Sequence, residues 1–421
     1  MIESHAYRPF RACPPFVPLV EGSAESRVEY AVTWIREAVV GHINKDSRRD
    51  FFARSFGGIL AGASVMEEAF LRASWARAQS QTTSASLFTI EKVTDGVFAA
   101  LAKPQVMTNS NAAIFVLSHD VLVVDAHSKP SAAASLLAQI KKDVTDKPVR
   151  YLVNTHFHWD HTQGDRSYKA ANAKVEIIAS ETTKQLMTQL QRDRLKESLD
   201  SVPGMIDTLR ARLSRATTPQ DRDWCNEQLR QLAAYQQEMK SYPLELPTTT
   251  FAQTHVIQDS TGEVHLGFHG KAHTAGDIQV FSPSKKVVAA GDAVIGFLPN
   301  LNDGYPRPWP KTIDSLGEQK FDFIIGGHGA VQHGRTRMLQ FRNYIEDLTA
   351  RVERAKKSGT PLAELQKSIT AASLPTLQSG GFASYVADNL AKHSVYIGPR
   401  TPLEDRLTGN IAAIYANLDR A

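Results

Sequence analysis

Cysteine is nearly absent from this chain: Cys13 and Cys225 are the only two in 421 residues. That excludes a disulfide framework and leaves no thiolate cluster to attract a soft metal. Long apolar runs are missing too, and nothing reaches the roughly 18 consecutive apolar residues that a membrane span needs. Neither sign of charge dominates, with 48 Lys and Arg against 44 Asp and Glu for a net of +4. The basic residues are dispersed beyond one arginine-bearing leader, so the footprint of a nucleic-acid binder is absent. A Gly-x-Ser-x-Gly elbow is also missing, which leaves a serine nucleophile without its usual setting. What remains is ordinary soluble composition, 42% hydrophobic and 22% charged. The length suits one large α/β domain with additions, acting on a small-molecule substrate. The sequence does not fix an oligomeric state.

Residues 1–78 read as an address rather than a fold. Ser47-Arg48-Arg49-Asp50-Phe51-Phe52 leads into the small and apolar run from Ser55 to Met66, and Ala76-Arg77-Ala78 follows as a cleavage pattern. This resembles a twin-arginine export signal and predicts a periplasmic or otherwise exported protein. Glu67 and Glu68, and the long segment before the arginines, depart from that pattern. An amphipathic N-terminal helix of a cytoplasmic protein is the competing reading.

From Leu87 short strands begin. Phe88–Val93 and Val97–Leu101 flank an Asp95-Gly96 turn, and Ala113–Leu117 pairs by pattern with Val121–Asp125. A helix is predicted from Pro130 to residue 143, with Leu136, Leu137 and Ile140 on one face, followed by a buried strand over Val149–Val153. After a strand ending at Ser180, residues 181–241 turn helical. Met205, Leu209 and Leu213 mark one stripe, and Leu229, Leu232 and Met239 mark another behind the Thr218-Pro219 start. This helical insertion holds no histidine and is expected to shape substrate access without supplying a metal ligand. Beyond residue 335 the chain is expected to be helical, with Tyr344, Ile345, Leu348 and Val352 as core.

Where the strand at Val153 ends, His156-Phe157-His158-Trp159-Asp160-His161 packs four coordinating residues into six positions. Three further strands or turns end in a donor beside glycine: Ala272-His273-Thr274 after Gly270, Gly291-Asp292, and Gly326-Gly327-His328-Gly329. Imidazole and carboxylate together suit zinc, and less exclusively iron or manganese. His269, His265 and His255 are left outside this set. The loop from Asn300 to Pro310, with Tyr305 and Trp309, is expected either to line an apolar wall or to pack on the domain.

The order His156, His158, Asp160, His161, His273, Asp292, His328 resembles the metallo-β-lactamase superfamily over roughly residues 87–335. The resemblance implies an α/β fold, an αββα sandwich with a helical insertion (181–241) and a helical C-terminal extension (336–421). It implies that His156, His158 and His273 hold one metal, that Asp160, His161 and His328 hold a second, and that Asp292 bridges them. An aspartate rather than a cysteine at the bridge is similar to the hydroxyacyl-thioester hydrolases and lactonases of the superfamily. The expected activity is therefore a hydrolase with two zinc ions, in which a metal-held hydroxide attacks an ester, thioester, lactone or lactam carbonyl and Asp160 acts as the catalytic carboxylate. An iron-dependent oxidoreductase like the persulfide dioxygenases, or a metal-binding protein without catalysis, are the alternatives.

Overall fold

The computed structural model describes residues 86–107, 109–395 and 401–418. The twin-arginine leader, Cys13 and the Ala76-Arg77-Ala78 pattern lie outside the described residues. The Asp95-Gly96 turn joins β1 (Phe88–Thr94) to β2 (Val97–Ala102), and β3 (Ala112–Val116) and β4 (Val121–Val124) continue the antiparallel meander. Then the pairing changes. β5 (Val149–Val153), β6 (Glu176–Ser180) and β7 (Thr249–Phe251) add in parallel to give a seven-stranded sheet in sequence order. Parallel neighbours need a crossover. It is supplied by α1 (Pro130–Gln139) with the π-helical turn Ile140–Val144, by α2 (Trp159–Thr162) with α3 (Asp165–Ala171), and by the long pair α4 (Glu181–Arg215) and α5 (Pro219–Met239).

The second sheet has six strands in the order β13-β12-β11-β10-β9-β8, from β8 (Thr254–Ile257), β9 (Val264–Gly267), β10 (Gln279–Ser282), β11 (Val287–Gly291), β12 (Phe323–Gly326) and β13 (Gln332–His333). Within it β11 and β12 run parallel.

Strand periodicity explains the layering. Along β2, Val97, Ala99 and Leu101 pack between the sheets with Val280, Ala289 and Ile325, while Ala100 and Ala102 turn to the outer layer with Leu136, Ile140 and Tyr168. On β11 the same alternation sends Val287 and Ala289 inward and Val288 and Ala290 outward. Those outward residues are covered by α6 (Trp309–Gly317), α7 (Thr336–Lys357) and α11 (Pro402–Asn417), through Trp309, Ile313, Phe341, Ile345, Leu348 and Ile411. Between α7 and α11 come α8 (Leu362–Ser368), α9 (Pro375–Gln378) and α10 (Phe382–His393). The result is helix, sheet, sheet, helix, the αββα order. The C-terminal helices form one of its layers. Among the described residues, no helix is long and apolar enough to cross a membrane.

The insertion has a core of its own. Leu195, Val202 and Leu209 of α4 meet Leu232, Tyr235 and Met239 of α5, with Met107 and Trp159 of the sandwich packed in. Ser180 caps α4 by accepting from the Thr183 N–H, and Thr218 caps α5 from Asp221 with Pro219 in the first turn. Met205, Leu213 and Leu229 of the expected stripes are only half-buried, because a two-helix hairpin covers each helix on one side alone.

Candidate metal centre

Three strand ends and one turn converge at one edge of the sandwich. β5 ends at Val153, and Asn154 braces the loop that follows by donating from Nδ2 to Asp165 Oδ1 at 2.9 Å. His158 is still extended and caps α2, whose single turn carries Asp160 and His161. Because β11 and β12 are parallel, Asp292 and His328 emerge side by side, and Gly327 N–H donates to Gly291 O at 2.8 Å. Two glycines make room. A Cβ on Gly327 would meet Asp292 Oδ1 and His161 Cε1, and one on Gly291, whose φ is +52°, would meet Thr155. His273 sits in the turn before β10, held by the Thr274 N–H donating to Asp277 Oδ2 at 2.7 Å.

All seven donors meet there. His158 Nδ1 lies 3.1 Å from His156 Nε2 and 2.8 Å from His273 Nε2. Opposite them, His328 Nε2 is 3.1 Å from Asp160 Oδ2, and His161 Nε2 is 3.5 Å from the same oxygen. Asp292 lies between the groups, with Oδ1 3.5 Å from His161 Nε2 and Oδ2 3.4 Å from His273 Nε2 and 3.6 Å from His328 Nε2. Donor atoms of His156, His158 and His273 all fall within 4.8 Å of one another, as do those of Asp160, His161 and His328, and those of His156, His161 and Asp292.

Residues 107–328, just over half of the 421, match the profile of the Metallo-beta-lactamase superfamily. The chain belongs to that superfamily. Among curated proteins it is similar to a linear primary-alkylsulfatase of Pseudomonas sp. (strain ATCC 19151), 24% identical over 249 residues. That stretch is 55% of this chain and 43% of the relative, so the chain spans less than half of the relative's length. Among solved structures it is similar to a metallo-beta-lactamase from Pontibacter korlensis, with 17% identity, a TM-score of 0.46, and coverage of 62% of this chain and 99% of the other. A metallo-beta-lactamase from Hirschia baltica gives 17% identity, a TM-score of 0.43, and coverage of 61% and 97%.

Around the superfamily's donors stands a ring of residues that hold them, and the sequence reading missed these. Asp125, a non-glycine residue at φ +70°, accepts from Thr155 N–H at 2.9 Å and from His161 Nδ1 at 2.8 Å. Thr155 Oγ1 donates to Asp125 and accepts from His156 Nδ1, each at 3.0 Å. These bonds put the N–H of His156 and His161 at the back and leave both Nε2 lone pairs facing the cluster. His158 is turned the other way, its Nε2–H donating to Asp303 Oδ2 at 2.8 Å so that Nδ1 faces inward. Asn111 ties the sheets together, donating from Nδ2 to Gly326 O at 3.0 Å and to Gly329 O at 2.8 Å.

The charges point to cations at the centre. Burial opposes ionisation of Asp160 and Asp292, but His161 and His328 beside them more than offset it and hold both carboxyls below the ordinary range. Burial likewise opposes charge on His161, yet Asp125, Asp160 and Asp292 raise it to about 10, so its Nε2 attracts a positive charge, a proton or an ion that would displace it. Burial and the neighbouring imidazoles keep His156 far below its usual value, and burial first, then His158, brings His273 to about 3. His161 Nε2 and Asp292 Oδ1 are buried without a hydrogen bond. Inward lone pairs crowded beside ionised carboxylates fit divalent ions, which accept the pairs and neutralise the charge.

The excluded histidines lie elsewhere. His269 faces Ser315 Oγ at 3.3 Å and Gln319 Nε2 at 2.8 Å, and His265 pairs with Glu263 at 2.7 Å. His255 stacks on Phe251. Trp309 starts α6, fully buried, and donates to Ala293 O at 2.9 Å. Of the two expectations for it, packing on the domain is the one realised. The insertion supplies no donor to the three groups, but it is not remote from them. Gln191 Nε2 donates to Thr162 Oγ1 at 2.7 Å, Tyr235 OH to Gln163 Oε1 at 3.2 Å, and Arg194 grips Asp303.

Proposed function

We propose that this chain is a zinc-dependent hydrolase, with His156, His158 and His273 around one ion, Asp160, His161 and His328 around a second, and Asp292 between the two. The observation that carries the reading is the convergence of two separate donor triads with one carboxylate shared between them. Two divalent ions there would make water nucleophilic near neutral pH and stabilise the oxygens that gain charge. The protein's own contribution is placement. Asp125 and Thr155 hold His161 and His156 rigidly, so little reorganisation is needed during reaction. The Asp160 carboxylate, beside His328 and His161, would orient the attacking water and take its proton. Carbonyl substrates, namely an ester, thioester, lactone or lactam, fit this chemistry.

A sulfate ester is the second reading, and one residue favours it. Arg406 lies half-buried on α11, in the helix layer that covers β11. Burial lowers its pKa, and Asp292 of the metal centre is the charge acting most strongly to raise it. A guanidinium so placed suits an anionic substrate group, and the alkylsulfatase relative points the same way.

Protein purified without added metal should hold about two zinc ions per chain, and a chelator should abolish activity that zinc restores. A panel of carbonyl esters, lactones, β-lactams and alkyl sulfates then separates the two substrate readings. One iron per chain with oxygen consumption would overturn both.

A further inference from the structure

Six of the seven donors are held from within the sandwich or are nearly inaccessible, and His158 is the exception. Its side chain is 14% exposed, more than those of Asp160, His161, His273, Asp292 and His328. An imidazole can present either Nδ1 or Nε2, unless a partner takes one of them. For His158 the partner is Asp303, in the loop before α6, and Asp303 is itself engaged on both oxygens: Arg194 Nη1 donates to Oδ2 at 2.6 Å and Nη2 to Oδ1 at 2.8 Å. Arg194 belongs to α4, the first helix of the insertion. Its guanidinium also lies 4.9 Å from the ring centre of Phe157, the residue before His158. Three positions earlier on the same helix face, Gln191 donates to Thr162, whose hydroxyl donates to the His158 carbonyl at 2.9 Å.

We infer that Arg194 and Asp303 are a positioning pair through which the helical insertion sets the Nδ1-inward orientation of His158, and so the strength with which the position of His156, His158 and His273 holds its ion. The inference rests on the metal reading of this site. The bidentate fork matters because it leaves the carboxylate one orientation, with a lone pair on His158 Nε2. Loss of either member releases the ring, and removal of such outer partners typically weakens metal binding by about 10–100-fold.

The test uses the full chain, stripped of metal and titrated with zinc against a chromophoric chelator, so that two binding constants are resolved. Asp303→Ala and Arg194→Gln should each weaken one constant by about 10–100-fold and leave the other in place. The double variant should lose little more than the worse single one, because both act through the same ring. Arg194→Lys, which keeps the charge without the fork, should fall between, and Asp303→Asn serves if the alanine variant does not fold. Two unchanged constants in variants whose apo form melts at a lower temperature would overturn the inference, making the pair merely structural. So would an equal fall in both constants. A wild-type chain that binds no zinc would overturn the metal reading and this inference with it, whereas two ions bound equally by wild type and variants would overturn this inference alone.

Discussion

Thr155 is not one of the seven donors, yet it helps to fix two of them: its hydroxyl links His156 Nδ1 to the Asp125 carboxylate that also holds His161. Against that rigid background the role given to Asp160 is testable. Asp160→Asn keeps the shape and removes both the charge and the proton acceptor, and kcat should fall by about 10²–10⁴ when measured at saturating zinc. Turnover equal to wild type would make Asp160 a scaffold residue. That these seven residues come together was legible in the sequence because four lie in six consecutive positions and the others each follow a strand or turn beside glycine. Asp125, Asp303 and Arg194 were not legible. Their partners stand 36, 145 and 109 residues away along the chain, and an aspartate in Asn302-Asp303-Gly304 reads locally as nothing more than a turn.

At the scale of elements, the C-terminal helices are the part whose weight the pattern understated. Tyr344, Ile345, Leu348 and Val352 were expected as core, and they are buried, but they cover the outer face of β11 and β12, the two strands that deliver Asp292 and His328. Each such side chain contributes about 1.5–3 kcal/mol by burial, against a typical total stability of about 5–15 kcal/mol. A chain ending after Arg335 should therefore be insoluble or lack cooperative unfolding, as judged by solubility and a thermal melt. A soluble, zinc-binding truncation would show that the sandwich closes without this layer. Strand positions were readable from alternation and turn residues. The depth of Trp309 was not: Pro310 is a helix-start signal of the ordinary kind, but nothing local says that the indole before it is buried.

For the whole molecule, the strand and helix signals before His156 gave the order of one half, the αββα sandwich came from the family resemblance, and the two-sheet pairing depends on contacts that no local window contains. Export is a proposal resting on residues 1–78 alone. Replacing Arg48 and Arg49 by Lys should leave the precursor uncleaved in the cytoplasm on cell fractionation, and normal delivery of that variant would exclude a twin-arginine route. The loop around Asp303 has a last consequence. It is moored on one side by Arg194 of the insertion and on the other by Asn417, the final residue of α11, which donates to the carbonyls of Leu301 and Asn302 at 3.3 and 2.8 Å. Two additions far apart along the chain thus share one anchorage. A chimera that transplants the insertion into another sandwich of this superfamily would have to carry the loop and the terminal helix along with it, as a single hereditary package.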